Sequence, residues 1–281
     1  MSLQERVRDA ERSLSGAERR VAQAVLAEPA AVGFGTVADL ARRSGAGAAT
    51  VVRLAAKLGY EGYGGLQAAV REELTDSLRP AAQRIREPAA DDVIGRTLEA
   101  DAGNVRATLE NLDPASFNTA VAALSRRSAT VFVASGDSST GIAMLLSSHL
   151  RMLRDGVRHL IGSPVAIALD LATASAGDLL VVVDFRRYDR WLLEAVDLAS
   201  VGGMELVVLT DSPLSPLARN ATAAFAISGR SAGPFDSQVG ALVVVNALLT
   251  GVARRLRAAA TARLDTIEAA WRSADLLTEG R

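Results

Sequence analysis

The chain shows two patterns of hydrophobic and polar positions, and the change falls near residue 128. Through residues 1–75 apolar side chains recur at helical spacing between glycine-containing turns, and residues 76–127 continue this periodicity among polar residues and prolines. From residue 128 onward, short apolar runs alternate with segments of helix length. The runs are ATVFVAS (129–135), VRHLI (157–161), DLLVVVDF (178–185), MELVVLT (204–210) and TAAFAIS (222–228).

The five apolar runs lack the alternation of a half-exposed strand, which is typical of strands buried on both faces of a sheet. The segments between the first four runs are long enough for crossover helices, and residues 236–256 form a last apolar segment of helical length. We therefore predict an α/β domain with a five-stranded parallel sheet over residues 128–281. An α-helical domain over residues 1–75 precedes it, and we expect residues 76–127 to form a helical linker that packs on the second domain.

Composition narrows the classes of function. The 281 residues carry 31 basic and 32 acidic side chains, so any binding to nucleic acid must come from a local patch and not from bulk charge. The chain has no cysteine and two histidines, which excludes thiolate zinc sites, iron–sulfur clusters and cysteine nucleophiles. We expect no metal or other cofactor. No run of about 18 uncharged apolar residues occurs, so we expect a cytoplasmic protein without a membrane partner.

A helix-turn-helix pattern stands out in the first domain. Apolar and small residues at helical spacing end at Ala41, Gly45 interrupts the spacing, and Val51 resumes it. A small residue, a glycine four positions later and an apolar residue six beyond that match two helices that cross closely around a tight turn. Thr36 can cap the first of these helices. The alternative is an ordinary pair of packed helices, which can have the same spacing.

The charges around this pattern favour DNA. No acid lies between Asp39 and Glu61, and the second helix, predicted from Ala48 to Leu58, would expose Ala49, Thr50, Arg53 and Lys57. An arginine on this face can pair with guanine O6 and N7, and neighbouring bases can contact phosphates. A solvated helix pair with ordinary surface bases is the alternative. The candidate DNA contacts are Thr36, Arg42, Arg43, Ala49, Thr50, Arg53 and Lys57.

The phrases LSGAERRVA, TVADLA, ATVVRLAAKLG and Y-x-G-Y-x-x-L follow one another within residues 11–74. In order and spacing they resemble the N-terminal domain of RpiR/MurR-type bacterial transcription regulators, and the resemblance implies DNA binding. Gly47 and Ala48 depart from the family, which usually has Ser followed by an acidic or polar residue there. The missing Ser weakens the start of the recognition helix and removes one phosphate contact.

Residues 115–257 resemble the second half of such regulators, a sugar isomerase (SIS) domain whose five-stranded parallel sheet usually senses a phosphosugar. Parallel sheets bind ligands beyond the carboxyl ends of their strands. After the first predicted strand, ASGDSST (134–140) is similar to the SIS loop G-x-G-x-S, with Ala134 in place of the first Gly. Its backbone donors and hydroxyls at a helix start suit an anion, although a plain serine-capped turn has the same pattern.

The loop DFRRYD (184–189) departs from the SIS pattern S-x-S-G-x-T, whose hydroxyls hold the phosphate. Either Arg186 and Arg187 bind a carboxylate or phosphate through bidentate bonds, or they pair with Asp184, Asp189 or a partner subunit and the pocket is vestigial. TDSPLSPLA (210–218) matches the family's S-P-L-A turn, for which we expect a structural role. The candidate ligand contacts are Ser135, Gly136, Ser138, Ser139, Arg186, Arg187 and Ser237.

Together these features predict a DNA-binding transcription regulator whose SIS-like domain senses a small anionic carbohydrate derivative, either a phosphosugar or a sugar acid. We expect it to bind an operator duplex as a homodimer or higher oligomer. The alternative is a SIS-type phosphosugar isomerase or lyase with an accessory helical domain. Such an enzyme needs a carboxylate or histidine poised as a base. We expect His149 to be packed and place His159 inside a strand, so we predict no enzymatic activity.

Overall fold

The computed structural model describes residues 3–10, 13–27, 29–78, 81–86, 92–186, 188–212 and 215–276. The chain divides into two compact units, Met1–Gln83 and Arg84–Arg281. The domain boundaries inferred from the sequence, at residues 75 and 127, stay predictions, since compactness alone does not define a folding domain.

The first unit is helical throughout its described residues. Its helices are α1 (Leu3–Ala10), α2 (Gly16–Ala27), α3 (Pro29–Phe34), α4 (Val37–Ser44), α5 (Ala48–Lys57) and α6 (Gly62–Leu78), with α7 (Ala81–Ile85) at the unit boundary. Their core includes Val21, Leu40, Val51 and Leu54, which are at most 2% exposed. Because α5 packs against α2, α4 and α6, its inner side is fixed by three neighbours.

The second unit is an α/β domain. Its strands are β1 (Val131–Ser135), β2 (Val157–His159), β3 (Leu179–Val183), β4 (Glu205–Thr210) and β5 (Ala223–Ala226). Its helices are α8 (Val93–Glu110), α9 (Pro114–Leu124), α10 (Thr140–Leu153), α11 (Pro164–Ala172), α12 (Arg190–Val201), α13 (Val239–Arg255) and α14 (Arg257–Ser273). All strand pairs are parallel and the order is β2-β1-β3-β4-β5.

Both faces of the sheet are covered, as the unbroken apolar runs predict. Val131 and Val133 share a core with helices α9, α10 and α13, whereas Phe132 and Ala134 point into a second core with α11 and α12. The predicted fold class, a helix-turn-helix domain followed by an α/β domain with five parallel strands, is confirmed.

The structure differs from the sequence-based elements in detail. Strand β2 has three residues and is only half-buried, because it lies at the edge of the sheet. His149 is exposed and not packed as predicted, since the buried side of α10 carries Ala143, Leu146 and Leu150 instead. Among the described helices, only α13 and α14 taken together, as a pair bent by 103°, have the length and apolar composition for a membrane span.

Helix α8, in the predicted linker, packs against α13. The Asn104 Oδ1 atom accepts hydrogen bonds from the Ser228 hydroxyl at 2.8 Å and the Arg230 N–H at 3.0 Å. Gly240 lets α13 approach this junction, because a Cβ there would lie 2.5 Å from the Ser228 carbonyl oxygen. These contacts join α8 to the segment that follows β5 and place the start of α13 near the carboxyl edge of the sheet.

Candidate functional site

Helices α4 and α5 form the predicted helix-turn-helix. Thr36 and Asp39 make a reciprocal capping box: the Asp39 N–H donates to the Thr36 hydroxyl at 3.2 Å, and the Thr36 N–H donates to the Asp39 carboxylate at 3.0 Å. The Asp39 carboxylate accepts hydrogen bonds from the Thr36 hydroxyl, the Thr36 N–H and Arg42, and these bonds lower its pKa to about 2. The turn contains Gly45 at φ 59°, a left-handed conformation that favours glycine. Gly47 caps α5 without a side-chain hydrogen bond, as its departure from the family predicts.

The outer face of α5 is not quite the one predicted. Thr50 is 8% exposed, and its Oγ1 accepts a hydrogen bond from Arg53 Nη2 at 3.2 Å, so its predicted exposure is wrong. Each helical residue turns by about 100°, which rotates Thr50 away from Ala49 and towards the buried Val51. The exposed residues of α5 are Ala48, Ala49, Val52, Arg53, Ala56 and Lys57. We call Ala49, Val52, Arg53 and Ala56 the α5 outer face.

The sequence reasoning missed Val52, which is 43% exposed on the α5 outer face. Its spacing to Ala49 and Arg53 would have placed it there. An exposed valine between two alanines suits contact with the methyl group of thymine, which is the apolar feature of the major groove.

Lys57 has a structural contact in addition to its predicted one. Its ammonium lies 2.9 Å from Glu18 Oε2 and 2.8 Å from the Ser13 carbonyl oxygen, and its side chain is 39% exposed. The Glu18 carboxylate also accepts the Ser15 N–H at 2.7 Å, and these bonds, Ser15 first and Lys57 next, lower the pKa of Glu18 to about 2. Lys57 therefore ties α5 to the start of α2, and its phosphate contact stays a prediction.

We expect Glu18→Gln to destabilise the first unit at pH 7, because the folded state holds the pKa of Glu18 at about 2, below the ordinary 4.5. A lowered pKa stabilises the fold above pH 4.5, and the contribution is lost as pH falls towards 2. Urea midpoints of the two proteins should therefore differ at pH 7 and converge at low pH. Glu61→Gln, at an exposed acid of the same unit, is the control. A difference in urea midpoint that does not depend on pH would contradict the stabilising role of the ionised Glu18 carboxylate.

Basic side chains surround the turn of the motif. Arg42 is 74% exposed and pairs with Asp39 at 2.5 Å, and Arg43 is exposed beside it on α4. Arg20, on α2, extends to the Gly45 carbonyl oxygen at 3.5 Å. The sequence reasoning did not select Arg20, although the phrase ERR in LSGAERRVA contains it. The first unit thus places Arg42 on α4, Arg53 on α5 and Arg20 beside the turn between these two helices.

The predicted ligand loops lie side by side at the carboxyl edge of the sheet. Strands β1 and β3 are neighbours, and Ser135 at the end of β1 is opposite Val183 at the end of β3. Ser138 is exposed, whereas Ser139 is fully buried. The Ser139 hydroxyl has no hydrogen-bond partner among the residues that the structure describes.

Backbone N–H groups of the two loops form an amide cradle, which we define by Asp137, Phe185 and Asp189. The Asp184 carboxylate accepts the Phe185 N–H and the Asp189 N–H, each at 3.0 Å. The Asp189 carboxylate accepts the Asp137 N–H at 3.1 Å. All three donors of the amide cradle therefore bond to carboxylates of the chain itself.

Asp184 is 2% exposed, and this burial raises its pKa to about 6. The two N–H bonds oppose the rise, whereas the negative charges of Asp189 and Asp211 add to it. Asp211 Oδ1 accepts a hydrogen bond of 2.6 Å from the Tyr188 hydroxyl, and burial and this carboxylate raise the Tyr188 pKa. The carboxyl edge of the sheet is therefore rich in acids.

Arg186 forms an ion pair with an acid that the sequence reasoning did not name. Its Nε lies 2.8 Å from Asp236 Oδ2, and Arg84 Nη1 lies 2.9 Å from Asp236 Oδ1. Arg186 has a φ of 61°, where the chain turns after β3. Arg187 lies outside the described residues, so its predicted role stays a prediction.

Ser237 is engaged at the start of α13. Its hydroxyl donates to Asp101 Oδ1 at 2.5 Å and accepts the Val239 N–H at 3.3 Å. In the loop 210–218, which follows β4, the Ser215 hydroxyl accepts the Leu217 N–H at 3.3 Å within a short 3₁₀ turn, Pro216–Ala218. Residues 213 and 214 are not among those described. Within the described chain, no group of three or more His, Asp or Glu residues could hold a metal ion.

Two family profiles match the chain. The helix-turn-helix domain of the rpiR family matches residues 1–77, and the SIS domain matches residues 123–251. Among solved structures, the sugar isomerase domain of an RpiR transcription factor from Sphaerobacter thermophilus is 30% identical, with a TM-score of 0.59. That alignment covers 62% of this chain and 97% of the other.

Curated relatives agree with these matches. The HTH-type transcriptional regulator HexR of Pseudomonas aeruginosa is 27% identical over 251 residues, which are 86% of each protein. The bifunctional protein glk of Burkholderia pseudomallei is 26% identical over 92% of this chain, but the chain spans only 41% of that protein's length. The helix-turn-helix profile matches the first part of the chain and the SIS profile the second. The chain therefore belongs to the RpiR family of helix-turn-helix regulators with a SIS domain.

Proposed function

We propose that this protein binds operator DNA through the α5 outer face and that a small carbohydrate-derived ligand of the SIS domain controls this binding. The observation that carries the proposal is the exposed Arg53 on a helix with an acid-free outer face, directly after a tight glycine turn. Family membership supports the same assignment.

The α5 outer face fits the major groove, which is wide enough to admit an α-helix. Ala49 and Ala56 are small, so the helix backbone can approach the groove floor. Arg53 then reaches a guanine edge and Val52 a thymine methyl group, while Arg20, Arg42 and Arg43 lie where phosphates flank the groove.

A homodimer is part of the proposal, because a single helix-turn-helix buries too little surface to select one operator and paired half-sites double the contacts. The ligand acts through its difference in affinity for the two arrangements of the DNA-binding units, since binding can shift an equilibrium only by that difference. We place the protein in the cytoplasm, in the same compartment as the DNA.

Fluorescence anisotropy tests the proposal. Labelled fragments from upstream of the gene and its neighbours are titrated with the full chain at one fixed salt concentration, with random duplex as competitor. Salt is fixed because phosphate contacts alone give strongly salt-dependent affinity. We expect at least one fragment to bind selectively. Equal, weak binding to every fragment would refute the proposal.

We also propose that the SIS domain binds its ligand without catalysis. Asp184 has the raised pKa that a general base needs. However, the carboxylate is 2% exposed and accepts two backbone N–H bonds, so it is shielded from a substrate hydrogen. Turnover of common phosphosugars in an isomerisation assay would contradict this part of the proposal.

A further inference from the structure

The amide cradle between β1 and β3 is already filled by an anion that belongs to the chain. Each oxygen of the Asp184 carboxylate accepts one backbone N–H, from Phe185 and from Asp189, at 3.0 Å. Backbone N–H groups that converge near a helix start form a ready site for a phosphate or carboxylate group. Here the carboxylate satisfies these donors from within the protein, and α12 begins directly after Asp189.

The Asp184 carboxylate also occupies the space in front of the loop 134–140, which follows β1. A Cβ added to Gly136 would lie 2.3 Å from Asp184 Oδ1 and 2.6 Å from its carboxyl carbon. The glycine therefore admits the Asp184 side chain, and little room remains beside the Gly136 backbone. A phosphate group with three terminal oxygens would have to displace the carboxylate to reach the cradle.

Charge opposes that displacement. Asp189 and Asp211 add negative charge around Asp184, and Arg186 pairs with Asp236, which also binds Arg84. A phosphate monoester carries about −1.5 to −2 charges at pH 7, and like charges at close range disfavour binding. Among the described residues, the buried Ser139 hydroxyl in the loop 134–140 has no hydrogen-bond partner. A hydroxyl of a ligand that reached it would recover the cost of burying it.

We propose that Asp184 is the specificity-determining residue of this site: its carboxylate fills the amide cradle in place of a ligand's phosphate, so the SIS domain binds carbohydrate derivatives that lack a phosphate group. This rests on the proposed function, in which the SIS domain is the ligand-binding part of the regulator. Of the two ligand classes predicted from the sequence, it rejects the phosphosugar.

The test is a thermal unfolding measurement on the full chain at pH 7.5 with inorganic phosphate, compared with sodium chloride at the same ionic strength. Phosphate should leave the Tm of the wild-type protein at its chloride value. Asp184→Ser should free the cradle and add a hydroxyl, so phosphate should then stabilise the variant. For a site with a Kd on the order of 1 mM, 10 mM phosphate raises Tm by about 3 °C.

Asp170→Ser is the matched control, because it removes the same charge from α11 of the same domain, where the Asp170 side chain is 47% exposed. It should respond to phosphate as the wild type does. If Asp184→Ser does not fold, Asp184→Ala also removes the carboxylate from the cradle and provides the same comparison. A phosphate-dependent rise in the wild type, a rise in Asp170→Ser that matches the Asp184 variant, or no rise in any folded Asp184 variant would each overturn the proposal. DNA binding, measured separately by anisotropy, shows whether the proposed function itself has failed.

Discussion

Arg53→Ala should abolish operator-selective binding and leave the protein folded. Arg53 is exposed on the α5 outer face, and its guanidinium donates a hydrogen bond to the Thr50 hydroxyl, which orients it without neutralising its charge. A bidentate arginine–guanine pair contributes about 1–3 kcal/mol of discrimination against the wrong base. The expected loss is roughly 5- to 150-fold in affinity for each half-site, and a homodimer loses the contact twice.

The measurement is anisotropy on the selected fragment and on random duplex, at several salt concentrations. Arg158→Ala is the matched control, because it removes an arginine that is 61% exposed on strand β2 of the other unit. If Arg53 reads a base, its variant loses affinity for the operator more than for random DNA. An equal loss on both duplexes, with a salt slope reduced by about one, would make Arg53 a phosphate contact instead.

Leu54→Ala should destabilise the first unit by about 2–5 kcal/mol, the range for a leucine removed from a packed core. Leu54 is fully buried in the core that includes Val21, Leu40 and Val51. A cavity at this position loosens α5 against the neighbours that hold it, so DNA binding should fall together with stability. The loss should be partly restored with added operator, because binding favours the folded state.

Urea unfolding monitored by circular dichroism measures this effect. Both tryptophans, Trp191 and Trp271, lie in the second unit, so their fluorescence reports that unit separately. Val52→Ala is the control on the same helix, because Val52 is 43% exposed, and surface changes usually alter stability by no more than about 0.5 kcal/mol. An unchanged midpoint for Leu54→Ala, or an equal effect of Val52→Ala, would contradict the assignment of α5 to this core.

Much of the fold could be predicted from the sequence because it depends on local patterns. Apolar runs that mostly lack alternation identified five strands, of which β1, β3 and β4 are buried on both faces. Helix-length segments between the first four runs required parallel crossovers. Gly45 marked the turn of the helix-turn-helix because few residues adopt a φ near 59°. The candidate ligand loops followed from the rule that the carboxyl ends of parallel strands meet at one edge.

The partners of the charged side chains were decided by tertiary structure. Lys57 meets Glu18 across 39 positions of sequence and Arg186 meets Asp236 across 50, so no local pattern could pair them. The inward position of Thr50 also depends on which sides of α5 its neighbours cover.

By itself, the sequence determined the two-domain family, the parallel sheet and the loops at its carboxyl edge, since hydrophobic periodicity and turn residues act over short distances. It also revealed that an acid stands at position 184 where the SIS pattern has Ser. The Asp184 carboxylate accepts N–H groups of its own loop, where the chain turns at Arg186 with a φ of 61°. Only the tertiary structure placed the Asp189 carboxylate on the Asp137 N–H, because that contact needs β1 beside β3. Hydrogen bonds of this kind depend on distances between loops, which a linear pattern does not specify.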